Sequence, residues 1–112
     1  MALLRTTRLG YHKVASANTA ETFYTCPTGF RAVVRDIRIT NPFAGPSTVT
    51  ICGIIPSGGT DSYWLFAGPM TSGELASTLA ETVMESGDAL FAYSDVVGTL
   101  FYASGAQLLL PT

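Results

Sequence analysis

Charged side chains are scarce in this sequence of 112 residues, where they make up 12% of the chain, against about 25% in typical globular domains. The mean hydropathy is +0.33, which is high for a small chain that stays in solution alone. No apolar run approaches the roughly 20 residues that a membrane-spanning helix needs. We therefore predict no membrane partner and expect the apolar surplus to be buried against other chains, in an oligomer or a lattice.

Residues that carry much enzymatic chemistry are also few. The chain has one histidine, His12, and two cysteines, Cys26 and Cys52. No motif pairs a cysteine with the histidine, and three potential ligands are fewer than the about four of a structural zinc site. We predict no enzymatic activity, no metal and no cofactor. Because Arg5 and Arg8 interrupt the apolar start of the chain, no secretion signal is recognised, and both thiols are expected to be free and buried.

The closest approach to a catalytic acid pair is the group Glu81, Glu85 and Asp88. Two carboxylates that flank a glycosidic bond can hydrolyse it, so a small hydrolase is kept as the third hypothesis for contrast. Acids beside a surface turn are ordinarily only solvated, and this is the interpretation we adopt. Asp61 with Asp88 or Asp95 lacks the regular alternation of oxygen ligands of a calcium loop.

Basic residues are missing from the last 74 positions. All six lie at or before Arg38, opposed there only by Glu21 and Asp36, so the first 38 residues carry +4 and the remaining 74, with six acids, carry −6. This asymmetry fits either chance in a charge-poor chain or a basic N-terminal segment that docks on an acidic neighbour. Six dispersed cations and a pI of about 5.1 do not make the clustered footprint that nucleic acid requires, so no nucleic-acid partner is predicted.

The stretch from Phe23 to Thr40 holds a short apolar run, a turn at Pro27 and Gly29, and then the longest β-favouring segment of the chain, in which β-branched residues alternate with charged ones. This alternation predicts a half-buried strand with one wet face. It slips between Val34 and Ile37, which predicts a β-bulge near Arg35-Asp36.

Short strands separated by turns at intervals of about 8 to 12 residues predict an all-β fold, a single jelly-roll-like or Greek-key β-sandwich over residues 21–112. Residues 1–20 have no clean period and are expected to form an extended N-terminal arm, an edge strand either of the same sandwich or of a neighbour. Residues 74–85 fit a short amphipathic helix or a strand. Further strands are predicted at Thr48–Ile55, Tyr63–Ala67, Ala89–Tyr93 and Thr99–Ser104.

A set of short motifs carries a resemblance to a known group of proteins. They are Tyr24-Thr25-Cys26-Pro27-Thr28-Gly29, the strand from Val33 to Ile39, Asn41, Thr48-Val49-Thr50 and the turn Gly87-Asp88. Over roughly residues 22 to 105 the sequence resembles the small β-sandwich virion proteins of tailed bacteriophages, which are head decoration or tail components. The resemblance implies a sandwich fold, a strand rather than a helix at residues 74–85, and a location in the virion.

Together these features predict a non-enzymatic virion structural protein, first of all a capsid decoration (cement) protein that stabilises contacts between capsid subunits after assembly in the host cytoplasm. We expect a homo-oligomer, with a trimer favoured because it suits a capsid three-fold position, and the major capsid protein or another virion protein as partner. The alternative is a tail, neck or fibre component, including a receptor-binding sandwich in which Trp64, with Tyr63 and Phe66, stacks on a carbohydrate.

The residues expected at interfaces are the apolar and basic ones of the arm, the single tryptophan and the leucines of the C-terminal tail. The arm is expected to carry the main anchoring contact, so that deleting residues 2–14 leaves the sandwich folded. The interface candidates are Leu3, Leu4, Arg5, Arg8, Leu9, Tyr11, Lys13, Trp64, Leu108, Leu109 and Leu110.

Overall fold

Strands joined by turns make up the described part of the chain. The structure, a computed structural model, describes residues 4–42, 45–59 and 61–111, with side chains from residue 8 onward except those of residues 79 and 80. In those residues no helix occurs that is long and apolar enough to cross a membrane. The eight strands are β1 (Leu4–Lys13), β2 (Glu21–Thr25), β3 (Phe30–Thr40), β4 (Ser47–Ile55), β5 (Tyr63–Met70), β6 (Leu75–Met84), β7 (Ala89–Ser94) and β8 (Leu100–Leu109).

The strands form two four-stranded antiparallel sheets that pack face to face. Sheet A has the order β1-β8-β3-β6 and sheet B the order β2-β7-β4-β5. Apart from the β4–β5 hairpin, every connection crosses from one sheet to the other. This is the connectivity of an eight-stranded jelly roll, so the predicted all-β sandwich is confirmed.

The alternation of β3 explains why it lies at the centre of sheet A. Ala32 and Val34 before the slip, and Ile37 and Ile39 after it, are each at most 1% exposed. The pairing register of β3 shifts between Val34 and Asp36 against both neighbours. The predicted bulge is confirmed, and it keeps both pairs of apolar residues on the buried face.

The core lies between the sheets and is made of small, branched and aromatic side chains. Phe101 of β8 and Leu90 of β7 are fully buried in it, and each such side chain contributes about 1.5–3 kcal/mol relative to exposure. A side-chain hydrogen bond crosses the core: Gln107 Nε2 of sheet A donates to Tyr24 Oη of sheet B at 2.8 Å. This bond satisfies two polar groups that the packing would otherwise leave half-buried without partners.

The predicted N-terminal arm lies on its own sandwich. β1 pairs with β8 from Leu4↔Leu108 to Lys13↔Leu100, which makes it the edge strand of sheet A. Its register shifts between Arg8 and Gly10, and this bulge explains why no clean period was visible in the sequence. Leu9 and the following Val14 are buried in the core, 8% and 1% exposed. The sequence led us to expect that residues 2–14 are dispensable for folding. Because β1 belongs to the sandwich, we now expect that their deletion prevents folding.

Residues 75–84, which fitted a helix or a strand, form β6. Leu75 and Val83, which together with Leu79 recur at four-residue intervals in the sequence, both face outward and are 63% and 51% exposed. Four is an even number and also about one helical turn, so this spacing serves both periods and does not distinguish them. Glu81, with φ of 41°, lies in the irregular part of this strand opposite the β3 bulge.

Candidate functional site: two opposite sheet faces

The outer face of sheet A is where the described basic side chains lie. Because Ile37 and Ile39 point into the core, the alternation sends Asp36 and Arg38 outward. Tyr11 of β1, Tyr102 of β8 and Arg38 of β3 form one row across the sheet. The described basic side chains are Arg8 and Lys13 on β1, and Arg31, Arg35 and Arg38 on β3. Since only β8 separates these strands, a basic N-terminal sequence becomes a basic sheet.

Acids of the same sheet neutralise part of this charge. Arg38 Nε donates to Asp36 Oδ2 at 2.9 Å, and Arg31 Nε donates to Glu85 Oε2 at 3.1 Å. Both pairs are exposed, so each stabilises the fold by less than about 1 kcal/mol. Five described cations against three acids, Asp36, Glu81 of β6 and Glu85 just after β6, leave an excess of two positive charges among the described side chains of this face.

Sheet B is different because its three adjacent strands β7, β4 and β5 contain no charged residue. In β4, Thr50, Cys52 and Ile54 are buried, each at most 1% exposed. The residues between and beside them face outward, and they are Val49, Ile51, Gly53 and Ile55. The outer face of sheet B is therefore neutral and mainly apolar.

A row of four residues crosses the outer face of sheet B in the order Thr22, Phe91, Gly53 and Trp64. The ring of Phe91 lies over Gly53: a Cβ added there would stand 2.7 Å from Phe91 Cε1 and 2.3 Å from the carbonyl oxygen of Tyr63. Phe91 is therefore only 6% exposed although it faces outward, whereas Trp64 at the free edge is 62% exposed. This arrangement makes a flat surface that ends in a projecting indole.

The structure separates the predicted interface residues into different environments. Tyr11, Trp64 and Leu109 are 54%, 62% and 40% exposed. Arg8 and Lys13 are also exposed, Leu108 and Leu110 are partly buried, and Leu9 belongs to the core. The prediction for Leu9 conflicts with this placement because the β1 bulge turns it inward. Leu3 lies outside the described residues; Leu4 and Arg5 are in β1, but their side chains are not described.

Several exposed apolar side chains escaped the sequence reasoning. Leu75 and Val83 were not identified because the period of their segment was ambiguous, and Val97, 54% exposed, lies in the turn before β8. Their exposure depends on which strands form sheet edges, a property that the local pattern does not encode.

Two carboxylates of the chain fasten the loops at one end of the sandwich. Glu21 accepts hydrogen bonds from the backbone N–H groups of Ala15 and Ser16, both at 3.1 Å, and lies 2.6 Å from His12 Nε2. The bond with His12, followed by those from the backbone, lowers the pKa of Glu21. These contacts join edge strand β1 to edge strand β2 across the two sheets.

Asp95 fastens a second loop in the same way. It accepts hydrogen bonds from Ser47 Oγ at 2.7 Å and from the backbone N–H of Thr48 at 3.0 Å. These bonds, first the one from Ser47, lower the pKa of Asp95. The acid therefore holds the start of β4 against the loop that leads into β8.

Two of the acids considered above for catalysis or cation binding, Asp88 and Glu85, take part in contacts within the fold. Asp88 accepts hydrogen bonds from the backbone N–H groups of Ser57 at 2.9 Å and Glu85 at 3.0 Å, and the Glu85 carboxylate pairs with Arg31. Gly87 has φ of 89°, which confirms the predicted turn. Within the described ranges, no three His, Cys, Asp or Glu residues lie together as a metal site.

Both cysteines are free and buried. Cys26 Sγ lies 3.4 Å from the carbonyl oxygen of Phe30, and burial, followed by the nearby Asp88 charge, raises its pKa. Burial alone raises the pKa of Cys52 to about 12. Thiols in this state are poor nucleophiles and act as small core side chains.

No protein-family model matches this sequence, and no curated protein matches it. Among solved structures, one comes from Bacillus endospore appendages, which are disulfide-linked pili. It is 15% identical to this chain with a TM-score of 0.48, and the match covers 98% of this chain and 89% of the pilus chain. A structure of infectious bursal disease virus strain Gx is 9% identical with a TM-score of 0.46, covering 96% of this chain and 31% of its own. Likenesses at this level carry no argument about function.

Proposed function

We propose that this protein is a non-catalytic structural subunit that works by packing the two faces of its sandwich against other protein surfaces in an assembled particle. The observation that carries this proposal is the difference between the faces: the described side chains of the sheet A face have an excess of two positive charges, and three adjacent strands of sheet B have no charged residue. A single small domain gains nothing from an uncharged sheet face that projects a tryptophan into water. Such a face is typical of the core of an interface, where charged residues are depleted.

The chemistry of the described residues supports a role without catalysis. Glu21, Asp88 and Asp95 accept hydrogen bonds from loop backbone groups, and the thiols of Cys26 and Cys52 are buried. Groups that are used to hold the fold together are not available as acids, bases or nucleophiles at a common site.

Within this role we place the protein in a bacteriophage virion, as a capsid decoration protein. The support is the resemblance of the strand and turn motifs of residues 22–105 to small phage sandwiches, together with the basic face. The partner is an acidic patch of the major capsid protein, met by Lys13 and Arg35 of sheet A. Neither of these two side chains forms an ion pair within the part of the chain that the structure describes. Virion assembly in the host cytoplasm follows from the same proposal.

The second candidate is a receptor-binding component of a tail or fibre, favoured by the exposure of Trp64. An indole face stacks on sugars as well as on proteins. Sugar sites also need a few polar groups that converge on the ligand. The strands around Trp64, which are β4, β5 and β7, offer no charged side chain for this purpose. A glycan array separates the candidates, because a decoration protein binds no glycan.

Co-sedimentation with particles tests the decoration role. Purified particles that lack this chain are mixed with it and separated on a density gradient; we expect the wild type to move with the particles at a fixed stoichiometry. The double variant Lys13→Gln/Arg35→Gln should remain at the top. The control Ala17→Glu/Ser72→Glu changes the net charge by the same −2 at exposed loop positions and should bind normally. Wild-type protein that stays unbound, or equal binding by both variants, contradicts the proposal.

A further inference from the structure

We infer that the outer face of sheet B is the surface through which two copies of this chain pair, with Trp64 as its main contact residue. This inference deepens the proposed function and rests on it, because it names the partner that covers the neutral face of the subunit. The outer face of sheet A then remains available to contact the particle.

The charges of the two faces select the second copy as the partner. Two sheet A faces brought together would oppose the five described cations of each copy, only partly offset by Asp36, Glu81 and Glu85, with the same excess of positive charge. A sheet A face on a sheet B face would bury those cations against strands that offer no acid. Charge left buried without a partner is strongly unfavourable. Of the three pairings between copies, only sheet B on sheet B avoids both penalties.

The area of the face fits a specific contact. Four strands spaced about 4.8 Å apart, with about seven residues each at about 3.3 Å per residue, give a flat footprint of roughly 450 Å². The projecting Trp64 adds to it, because a buried tryptophan covers about 150–250 Å². Two copies then bury on the order of 1,000 Å² in total, the lower bound for a biological interface.

The shape of the face also suits a homotypic contact. Phe91 lies flat over Gly53, so that strand β4 presents no projecting side chain at that row. A copy turned by a two-fold rotation can place its own Trp64, 62% exposed, toward this flat region. Aromatic residues of this kind dominate the binding energy of interfaces.

An interface in which the same patch meets itself closes as a dimer. The two sheet A faces then point away from each other, and each can contact an acidic surface. A pair of this kind links two subunits of a particle, which is the role of a cement protein. The trimer expected from capsid symmetry does not follow from these faces.

Sedimentation velocity of the full chain at about 100 µM, a concentration suited to a small interface, tests the inference. We expect the wild type to sediment as a dimer. Trp64→Ala should raise the dimer dissociation constant at least about 30-fold, as loss of a hot-spot aromatic does. The matched control Tyr11→Ala removes an aromatic of similar exposure, 54%, from the opposite sheet and should leave the constant within about threefold. A monomeric or trimeric wild type, or a larger effect of Tyr11→Ala, overturns the inference.

A second pair of variants keeps the test independent of the aromatic side chains. Ala67 is exposed in the row of Ile51 and Tyr93 on sheet B, so Ala67→Glu places like charges in both halves of the interface and should weaken pairing at least about tenfold. Ser77→Glu on β6 of sheet A is the control and should have no effect. Mixing Ala67→Glu with Ala67→Lys should restore a dimer; failure of the mixture to associate counts against pairing through this face.

This experiment contains no particles, so its failure is distinguishable from failure of the proposed function. A chain that binds particles but does not pair in solution contradicts the inference alone. A chain that pairs through sheet B but never binds particles contradicts the decoration role alone.

Discussion

Substitution of Gly53 by alanine is a sharp test of how the outer face of sheet B is built. An added Cβ would stand 2.3 Å from the carbonyl oxygen of Tyr63 and 2.7 Å from Phe91 Cε1. Real carbon atoms do not approach so closely. The Phe91 ring can rotate away, but the Tyr63 oxygen belongs to the backbone of β5, so β5 must move away from β4.

The magnitude follows from the competing contributions. Alanine restricts the unfolded chain more than glycine does, which stabilises by about 0.4–1 kcal/mol where the site is compatible. Against this, overpacking costs about 1–3 kcal/mol, and weakening one ladder hydrogen bond near the Gly53↔Trp64 pair costs about 0.5–1.5 kcal/mol. The net expectation is a destabilisation of about 2 kcal/mol, or roughly 8 °C in the unfolding midpoint at about 4 °C per kcal/mol.

The assay is equilibrium unfolding followed by the fluorescence of Trp64, the only tryptophan of the chain, at one fixed protein concentration because self-association shifts the midpoint. Gly68→Ala on β5 is the matched control. Gly68 has nothing within 4 Å of an added Cβ and no left-handed backbone, so its substitution should be neutral or stabilising by up to about 1 kcal/mol. An unchanged Gly53→Ala midpoint, or a loss in Gly68→Ala of equal size, would refute the described packing.

Three further predictions concern the rest of the chain. A thiol reagent at neutral pH should leave Cys26 and Cys52 unmodified in the native protein and titrate two groups per chain after denaturation; fast native labelling contradicts their burial. The lowered pKa values of Glu21 and Asp95 mean that their stabilising effect is present above their ordinary values of 4.5 and 3.8 and is lost as the pH falls through the lowered ones. The unfolding midpoint should therefore drop in that acid range, and less in Glu21→Gln/Asp95→Asn; equal pH profiles refute this. Deleting residues 2–14 should abolish cooperative unfolding, because β1 covers the core and the edge of β8; a fully folded truncation contradicts the placement of β1.

Local sequence patterns predicted most strands and turns well, because the conformation of a strand or a turn depends largely on residues that are neighbours in sequence. The bulge between Val34 and Asp36 and the turn at Gly87 both appeared where alternation and backbone requirements placed them. The position of β1 was harder. Its bulge around Leu9 breaks the period of two, and only the pairing with β8, almost a hundred residues away, reveals it as a strand of this sandwich.

The candidate surfaces depended still more on topology. The sequence shows that all six basic residues lie at or before Arg38. It does not show that β1 and β3 belong to the same sheet. It shows aromatic residues at Tyr63 and Trp64, but not that β5 is a free edge beside Gly53. Both facts depend on the order of the strands in the two sheets, which propensity and periodicity do not determine.

A cryo-electron microscopy reconstruction of purified particles tests most directly whether this chain is a structural subunit that uses its sheet faces. We expect eight-stranded sandwiches at regular positions on the particle, with Lys13 and Arg35 of sheet A turned toward an acidic partner surface and the sheet B face covered by a second copy. Particles that contain no such density, or sandwiches that leave both sheet faces in solvent, would contradict this account.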